Sequence, residues 1–393
     1  MSSFSRNVPL LAGGQALMTT AMSVVIITSS YVGEALADNR LLYTLPVAAV
    51  FIAITLTSIP AAMFMEKFGR KTGFIFSTLF GISGATLATY SIVSKDFWLF
   101  VVACVLMGMF NGFGNYFRFA AADAVDKEHK SRAIALVIAG GVVAAIIGAN
   151  LVNWFTHTIA GAPYAGAYAA LIVAYILALV LLSFLRLPAR ESTVNLDAGM
   201  AARPLIEIIK QPKFVVALVC AMFGYGVMSF VMTATPLAMK HHSHLLGDSS
   251  FVIQWHMLAM FAPSFFTGHL IRRFGVYSIM FIGGIFGLVC VAVNLAGVSV
   301  WHFLVALVFL GLSWYFLFTG ATALLTETYH PSERGKAQAF NDFIVFAVVS
   351  LASLSAGALN KQFGWETVNY GVIPLLLIIL ISIIWIAGSD PDK

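Results

Sequence analysis

Charge is what this chain has least of. Asp, Glu, Lys and Arg make up only 10% of its 393 residues, against about 25% in soluble domains. A water-facing surface cannot be assembled from so few, and a soluble domain is excluded. Cysteine is scarce as well. Cys104, Cys220 and Cys290 lie singly inside apolar stretches without Cys-x-x-Cys spacing, so no disulfide framework is implied and each reads as a small apolar packing residue. No Walker sequence and no Gly-rich loop after a strand is present. That removes a nucleotide as energy source: an enzyme is not expected, and any transport must be secondary.

What fills the chain instead is hydrocarbon. Hydrophobic residues reach 60% and the mean hydropathy is +0.92. A spanning helix needs about 20 mostly apolar residues, and twelve such stretches can be read: 9–31, 42–65, 73–94, 97–121, 132–155, 165–186, 213–239, 250–271, 276–297, 301–326, 337–359 and 368–387. The first follows Arg6 and precedes Ala35-Leu36-Ala37, as a signal peptide would, but its apolar run exceeds the 7–15 residues of a signal core. With the N-terminus in the cytoplasm and loops alternating, Arg40, Lys95, Lys240 and Lys361 fall outside and Arg118 falls within a span; every other Lys and Arg of the 22 falls inside. Cytoplasmic loops carry the Lys/Arg excess, so both termini are expected in the cytoplasm. The net charge of +5 is then a topology signal, and nucleic acid is not an expected partner.

An internal repeat organises the spans. Lys67-Phe68-Gly69 returns 206 residues later as Arg273-Phe274-Gly275. At a spacing of 204, Asp123 meets Glu327, Arg132 meets Lys336, and Ser131-Arg-Ala-Ile-Ala-Leu meets Gly335-Lys-Ala-Gln-Ala-Phe340. Two loops repeating at nearly one period imply duplicated six-helix halves, residues 1–187 and 213–393. Between them residues 188–212, with Pro188, Pro204 and Pro212, read as a cytoplasmic linker.

At the loop after the second span the chain resembles the major facilitator superfamily, whose signature there is Gly-x-x-x-Asp-Arg/Lys-x-Gly-Arg-Arg/Lys. Lys67, Gly69, Arg70 and Lys71 match it, while Ala62 replaces the glycine and Glu66 the aspartate. The resemblance implies an all-α membrane protein of twelve transmembrane helices in two six-helix pseudo-repeats, with alternating access between the halves. It also implies that Glu66, Lys67, Gly69, Arg70 and Lys71 form a conformational latch, with Asp123 the partner of Arg70, and Glu327 that of Arg272 or Arg273. The alternative is that these charges only set topology.

Soft donors are the other pattern. Met228-x-x-x-Met232 lies in the seventh span and His256-x-x-x-Met260 in the eighth. Residues i and i+4 share a helix face, and thioether and imidazole suit Cu(I), whereas hard cations prefer oxygen. Taken singly, such methionines are usually packing filler; a histidine within a span is costly and marks a candidate site. Together, in order and on consecutive spans, the four residues resemble the signature of the CcoA-like copper importers (the CalT family). That resemblance implies copper as cargo, bound by Met228, Met232, His256 and Met260, taken up across a bacterial inner membrane by a monomer with no resident cofactor. Met18 and Met22 in the first span, the repeat partner of the seventh, are accessory candidates, as are His241, His242 and His244 in the following outer loop. Packing and a solvated loop are the alternatives for these two groups.

Arg118 and Asp342 are charges inside spans, expected to act as latch partner, substrate contact or coupling group. Gly140, Gly141 and Gly148 suit close helix crossing. Two rival functions stay open. One is a carrier of a small organic solute, a vitamin such as riboflavin, its cavity lined from the 13% aromatic content with Arg118 binding an anionic group. The other is a drug or metalloid exporter.

Overall fold

The computed structural model describes residues 6–125, 130–187, 203–330 and 333–389. Every regular element among them is helical. Following the spans, we number α1 Asn7–Leu36, α2 Leu45–Phe68, α3 Arg70–Ser94, α4 Phe97–Gly114, α5 Lys130–Phe155, α6 Ala165–Ser183, α7 Pro212–His241, α8 Leu246–Phe261, α9 Val276–Ala296 and α10 Val300–Thr326. The last helical run, Arg334–Ser389, holds Gly364 at φ 83°, ψ 172°, which no helix accommodates. It is therefore two helices, α11 (334–363) and α12 (365–389).

Ten helices among the described residues are long and apolar enough to cross a membrane, with the last run counted once. Splitting that run at Gly364 gives eleven. The twelfth is the expected span 250–271, which is not one helix. α8 stops at Phe261, a 3-10 turn covers Ala262–Phe265, and helix resumes at Thr267–Phe274. Pro263 lacks the N–H that an uninterrupted helix would use, and the break follows from it. The fourth span is likewise interrupted at Asn115 and Tyr116 before a short helix Phe117–Asp123. Residues 188–202 of the expected linker lie outside the described residues; its other end carries a short helix, Leu205–Ile209.

The repeat seen in the sequence has a backbone counterpart. Gly69 adopts φ 86°, ψ 151° between α2 and α3, and Gly275 adopts φ 80°, ψ 157° ahead of α9. That region is essentially closed to residues with a side chain, so each half turns its loop on the same glycine.

Large apolar side chains such as Leu56, Met63, Leu79, Val173 and Ile381 are exposed around the bundle, where lipid rather than water is the solvent. Trp98, Trp154 and Trp301 are exposed near helix ends on the side opposite the termini, the position of an interfacial aromatic belt. Inside, small residues let backbones approach. A Cβ on Gly140 would stand 2.6 Å from the Ala12 carbonyl of α1, and one on Gly141 would stand 2.6 Å from the Phe261 ring of α8. Gly141 therefore sets a contact between the halves.

Among the described residues, ion-pair and hydrogen-bond contacts join the two halves at the end opposite the termini, the far end hereafter. Lys240 and Glu34 form an ion pair of 2.8 Å there. These two residues are 206 apart, the repeat spacing, so the pair joins equivalent positions and sits at the pseudo-two-fold axis. Beside it, the Tyr31 hydroxyl donates to the Pro236 carbonyl at 3.0 Å and lies 2.8 Å from Ser249 Oγ. Thr44 donates to the Leu354 carbonyl at 3.0 Å. Nearer the middle, Ser23 donates to the Met257 sulfur at 3.0 Å.

Candidate functional site

Midway along the bundle, aromatic rings from both halves converge on Tyr225 of α7. Phe51 of α2 meets it edge-on at 6.4 Å between centroids, Trp314 and Phe318 of α10 at 5.3 and 5.6 Å, and Phe346 of α11 at 5.7 Å. Trp314 and Phe318 are one helical turn apart and stack at 5.3 Å with 10° between planes. Phe261 of α8 reaches Trp314 at 6.4 Å. The Trp314 indole Nε1 is buried with no hydrogen-bond partner. An unmet buried donor costs about 1–3 kcal/mol.

Charge and amide lie on the termini-bearing side of these rings. Asp342 precedes Phe346 by one turn of α11, on the same face. It is half-buried, and its carboxylate and the Arg118 guanidinium of the fourth span act on one another through space. Arg118 also acts on Tyr225 and Tyr116. Its Nε is buried without a hydrogen-bond partner. Asn341 donates from Nδ2 to the Asp342 carboxylate at 3.1 Å, and its own Oδ1 is buried and unmet. Tyr116 donates to the Ser58 carbonyl at 2.9 Å, fixing the interrupted fourth span against α2. The result is a cluster of edge-to-face rings with three buried polar atoms that have no partner, and with Asp342 and Arg118 on its termini-bearing side.

The soft donors are all interior. Met228 and Met232 are buried, and helical geometry puts Met232 within about 40° of both Tyr225 and Pro236, on the face of α7 that looks toward the other half. His256 is fully buried, its Nδ1 donating to the Leu307 carbonyl of α10 at 2.7 Å. In the neutral ring this leaves Nε2 as a bare lone pair, and Nε2 has no partner. Met260 is buried one turn on. Among the described residues no three His, Cys, Asp or Glu side chains gather as a metal site.

The accessory candidates disperse. Met18 turns into its own half, where its sulfur fills the space a Cβ on Gly114 would need; Met22 is half-buried. His241 and His242 line a cavity of about 370 Å³ at the far end, with Glu34, Lys240, Lys361 and Trp365. Burial, and then the neighbouring His241 and His244, hold the His242 imidazole below its ordinary value. His244 turns away, its Nε2 2.7 Å from the Val298 carbonyl, so the three histidines share no single site.

Of the expected latch, the side chains of Glu66, Asp123 and Arg272 lie outside the described residues. Gly69 makes the turn described above. Lys67 is exposed with its ammonium over the Phe68 ring, while Arg70 and Lys71 are half-buried. Glu327 was expected to pair with Arg272 or Arg273. Glu327 pairs with Lys213, at the start of α7, at 3.1 Å, because the tenth span ends beside the seventh; Arg273 lies over the Phe274 ring, and the Arg272 side chain is outside the described residues. A stronger pair went unforeseen. Arg203 meets Glu333 at 2.6 Å, and Glu333 also accepts the backbone N–H of Arg203 and His330. Those bonds, the Arg203 guanidinium first, hold the Glu333 carboxyl far below the usual carboxylate range. Lys336 closes the knot on the Arg203 carbonyl.

Known proteins agree with this architecture. The model of the Major Facilitator Superfamily matches residues 11–292 and 236–393. The chain is 41% identical over 381 residues, 96% of itself and 95% of the relative, to the riboflavin transporter RfnT of Brucella anthropi. It is 28% identical over 353 residues to YddS and 26% identical over 344 residues to YdeG, two uncharacterized MFS-type transporters of Bacillus subtilis. The first match spans 84% of this chain and 78% of YddS, the second 82% and 78% of YdeG. Twelve apolar helices in two halves, each turning on an equivalent glycine, and a family match running the length of the bundle make this chain a member of the major facilitator superfamily.

Proposed function

We propose that this transporter carries a flavin-type vitamin, riboflavin, into the cytoplasm across a bacterial cell membrane, with both termini on the cytoplasmic side. The observation that carries the reading is the cluster of rings around Tyr225. A tricyclic isoalloxazine is flat, aromatic and uncharged, and it needs ring faces with a few hydrogen-bonding groups. The Trp314–Phe318 stack, the Tyr225, Phe51 and Phe346 edges, and the unmet Trp314 Nε1, Asn341 Oδ1 and Arg118 Nε supply both. The likeness to a riboflavin transporter over nearly the whole chain supports the same reading, and it moves the preferred cargo from copper to the vitamin. Substrate sites in these folds lie near the midplane between the repeats, and Tyr225 is near the middle of α7.

The test is uptake of radiolabelled riboflavin by a riboflavin-requiring strain expressing the chain. Trp314→Phe keeps the stack and loses one donor, about 1 kcal/mol, so KM should rise roughly fivefold. Trp314→Ala also loses ring contacts worth about 0.5–1.5 kcal/mol, and KM should rise tenfold or more. Uptake no greater than in the empty strain, or insensitive to Trp314→Ala, overturns the reading.

One observation favours copper as a second reading: the bare His256 Nε2 among buried Met228, Met232 and Met260. Neutral donors bind Cu(I) without burying an anion. Copper uptake under reducing conditions that falls in a Met228→Ala/His256→Ala variant would support it; equal uptake in both would remove it.

A further inference from the structure

The cavity at the far end has no part in the flavin reading. Its volume, about 370 Å³, falls in the range of small-molecule sites, about 300–1,000 Å³. Leu237 and Ala238 of α7 line it, which places it roughly 20 Å along that helix from Tyr225. Its walls come from both halves. Glu34 at the end of α1 and Tyr43 ahead of α2 belong to the first; Lys240 of α7, Asn360 and Lys361 of α11 and Trp365 of α12 belong to the second. Glu34 and Lys240 engage one another at 2.8 Å, and their charges cancel. Lys361 is exposed and has no ion-pair partner among the described residues. With the two lining histidines neutral, it leaves the cavity one positive charge in excess. Beside it Asn360 offers an amide, and Trp365, buried with its ring against Phe303 at 5.3 Å, forms a fixed aromatic wall.

These walls select a chemistry. An ammonium is a point donor for an anionic oxygen, and the flat wall suits a planar apolar body. One spare positive charge matches a carboxylate. A phosphate ester carries about −1.5 to −2 charges and would leave the remainder beside Glu34. The Glu34–Lys240 pair sits at the pseudo-two-fold axis, away from the lipid-facing rim, so the occupant is a solute of the outer water and not a lipid headgroup. Opening the far end must draw Glu34 and Tyr43 away from Lys361 and Trp365. A ligand that touches both groups therefore binds the closed form alone, and its binding shifts the population that way.

We propose that the far-end cavity is a binding site for a small aromatic carboxylate, held by Lys361 against the Trp365 wall, and that its occupant keeps the far end closed. Such a solute opposes entry from outside without competing for the rings around Tyr225.

The experiment is calorimetric titration of the purified full chain in non-ionic detergent at low ionic strength, with indole-3-acetate and its uncharged amide as matched probes. The ratio of their dissociation constants is the readout, because contacts common to both probes cancel in it. The carboxylate should bind about fivefold more tightly, the size of an opposite-charge contact near 4 Å in a water-like dielectric, and added salt should erode the difference. Lys361→Gln should bring the ratio close to one. Lys361→Arg keeps the charge and should keep the ratio, as should Lys95→Gln, which alters an exposed cation on another outer loop. If Lys361→Gln aggregates, Lys361→Ser is read by the same criterion. Closure is read separately, as alkylation from the far side of a Met232→Cys chain whose three native cysteines are Ala. Indole-3-acetate at ten times its dissociation constant should slow that reaction about tenfold, and about threefold when Lys361→Gln is added. No binding of the carboxylate, a wild-type ratio near one, a ratio unchanged by Lys361→Gln, or alkylation unaffected at saturation each overturns the proposal. Riboflavin uptake is a separate measurement, so any of these failures leaves the flavin reading standing.

Discussion

Tyr31 is the side chain whose loss should open the far end most. Its hydroxyl donates to the Pro236 carbonyl, so at Ser249 it must be the acceptor, and the residue is buried at 4% exposure. Each such bond contributes about 0.5–1.5 kcal/mol net, so Tyr31→Phe should weaken the seal by about 1–3 kcal/mol. That multiplies the open-to-closed ratio by roughly 5–150. The neighbouring Glu34–Lys240 pair is closer to water, with side chains 24% and 53% exposed. Pairs so exposed are worth about 0–1 kcal/mol, and Glu34→Gln should shift the ratio fivefold at most. The assay is alkylation of a cysteine placed at Met232, buried behind the seal at 1% exposure, with Cys104, Cys220 and Cys290 replaced by Ala. A membrane-impermeant maleimide is added from the side of the loop between α7 and α8, and the initial rate is measured. Tyr90→Phe, exposed and remote, is the control. A Tyr31→Phe rate within twofold of the parent, or a larger effect from Glu34→Gln, would refute the assignment of the seal to these hydrogen bonds.

Gly69→Ala forces a side chain into φ 86°, ψ 151° and should cost about 1–3 kcal/mol, seen as a lower thermal midpoint in detergent. Gly275→Ala should cost the same and add to it, since the loops belong to different halves; no loss in either variant would count against the glycine turns. Glu333 is held below its ordinary value of 4.5, so its bonds stabilise the folded state above about pH 4.5 and are lost as pH falls further. Glu333→Gln should therefore lower the thermal midpoint at pH 7, with the gap to wild type shrinking on acidification below pH 4.5. A gap that stays constant from pH 7 to pH 4 would show that charge is not what Glu333 contributes.

The spans were readable in the sequence because lipid imposes one requirement along their whole length, and hydropathy reports it directly. The details that escaped it are backbone events inside apolar runs. Pro263 breaks the eighth span without changing its hydropathy; the turn at Gly364, by contrast, lies in the polar stretch 360–367 that separates the last two expected spans. The repeat was readable at Gly69 and Gly275 for a different reason: a backbone conformation closed to other residues leaves a mark in the sequence. Charge partners were harder. Lys213 and Glu327 are 114 residues apart, and only the packing of α7 beside α10 brings them together.

The rings around Tyr225 show why a proposed binding site in such a protein hides in its own composition. The chain holds 33 Phe, 12 Tyr and 7 Trp, and aromatic side chains serve equally well against lipid, inside a half, or between halves. Tyr225 is distinguished only by four rings that reach it from α2, α10 and α11, two of them one turn apart at 314 and 318. The methionine and histidine motif had the opposite character. It was conspicuous because His256 is expensive to bury, yet its chemistry turns on which nitrogen the fold leaves free. Leu307 takes Nδ1 and frees Nε2, a consequence of how α8 packs on α10. Rare residues thus drew attention to one group of side chains, while common residues, selected by geometry alone, built the ring cluster on which the proposed flavin reading rests. Trp314 Nε1, Asn341 Oδ1 and Arg118 Nε, buried there without partners, are the atoms that reading would use, because a buried donor or acceptor is usually hydrogen-bonded.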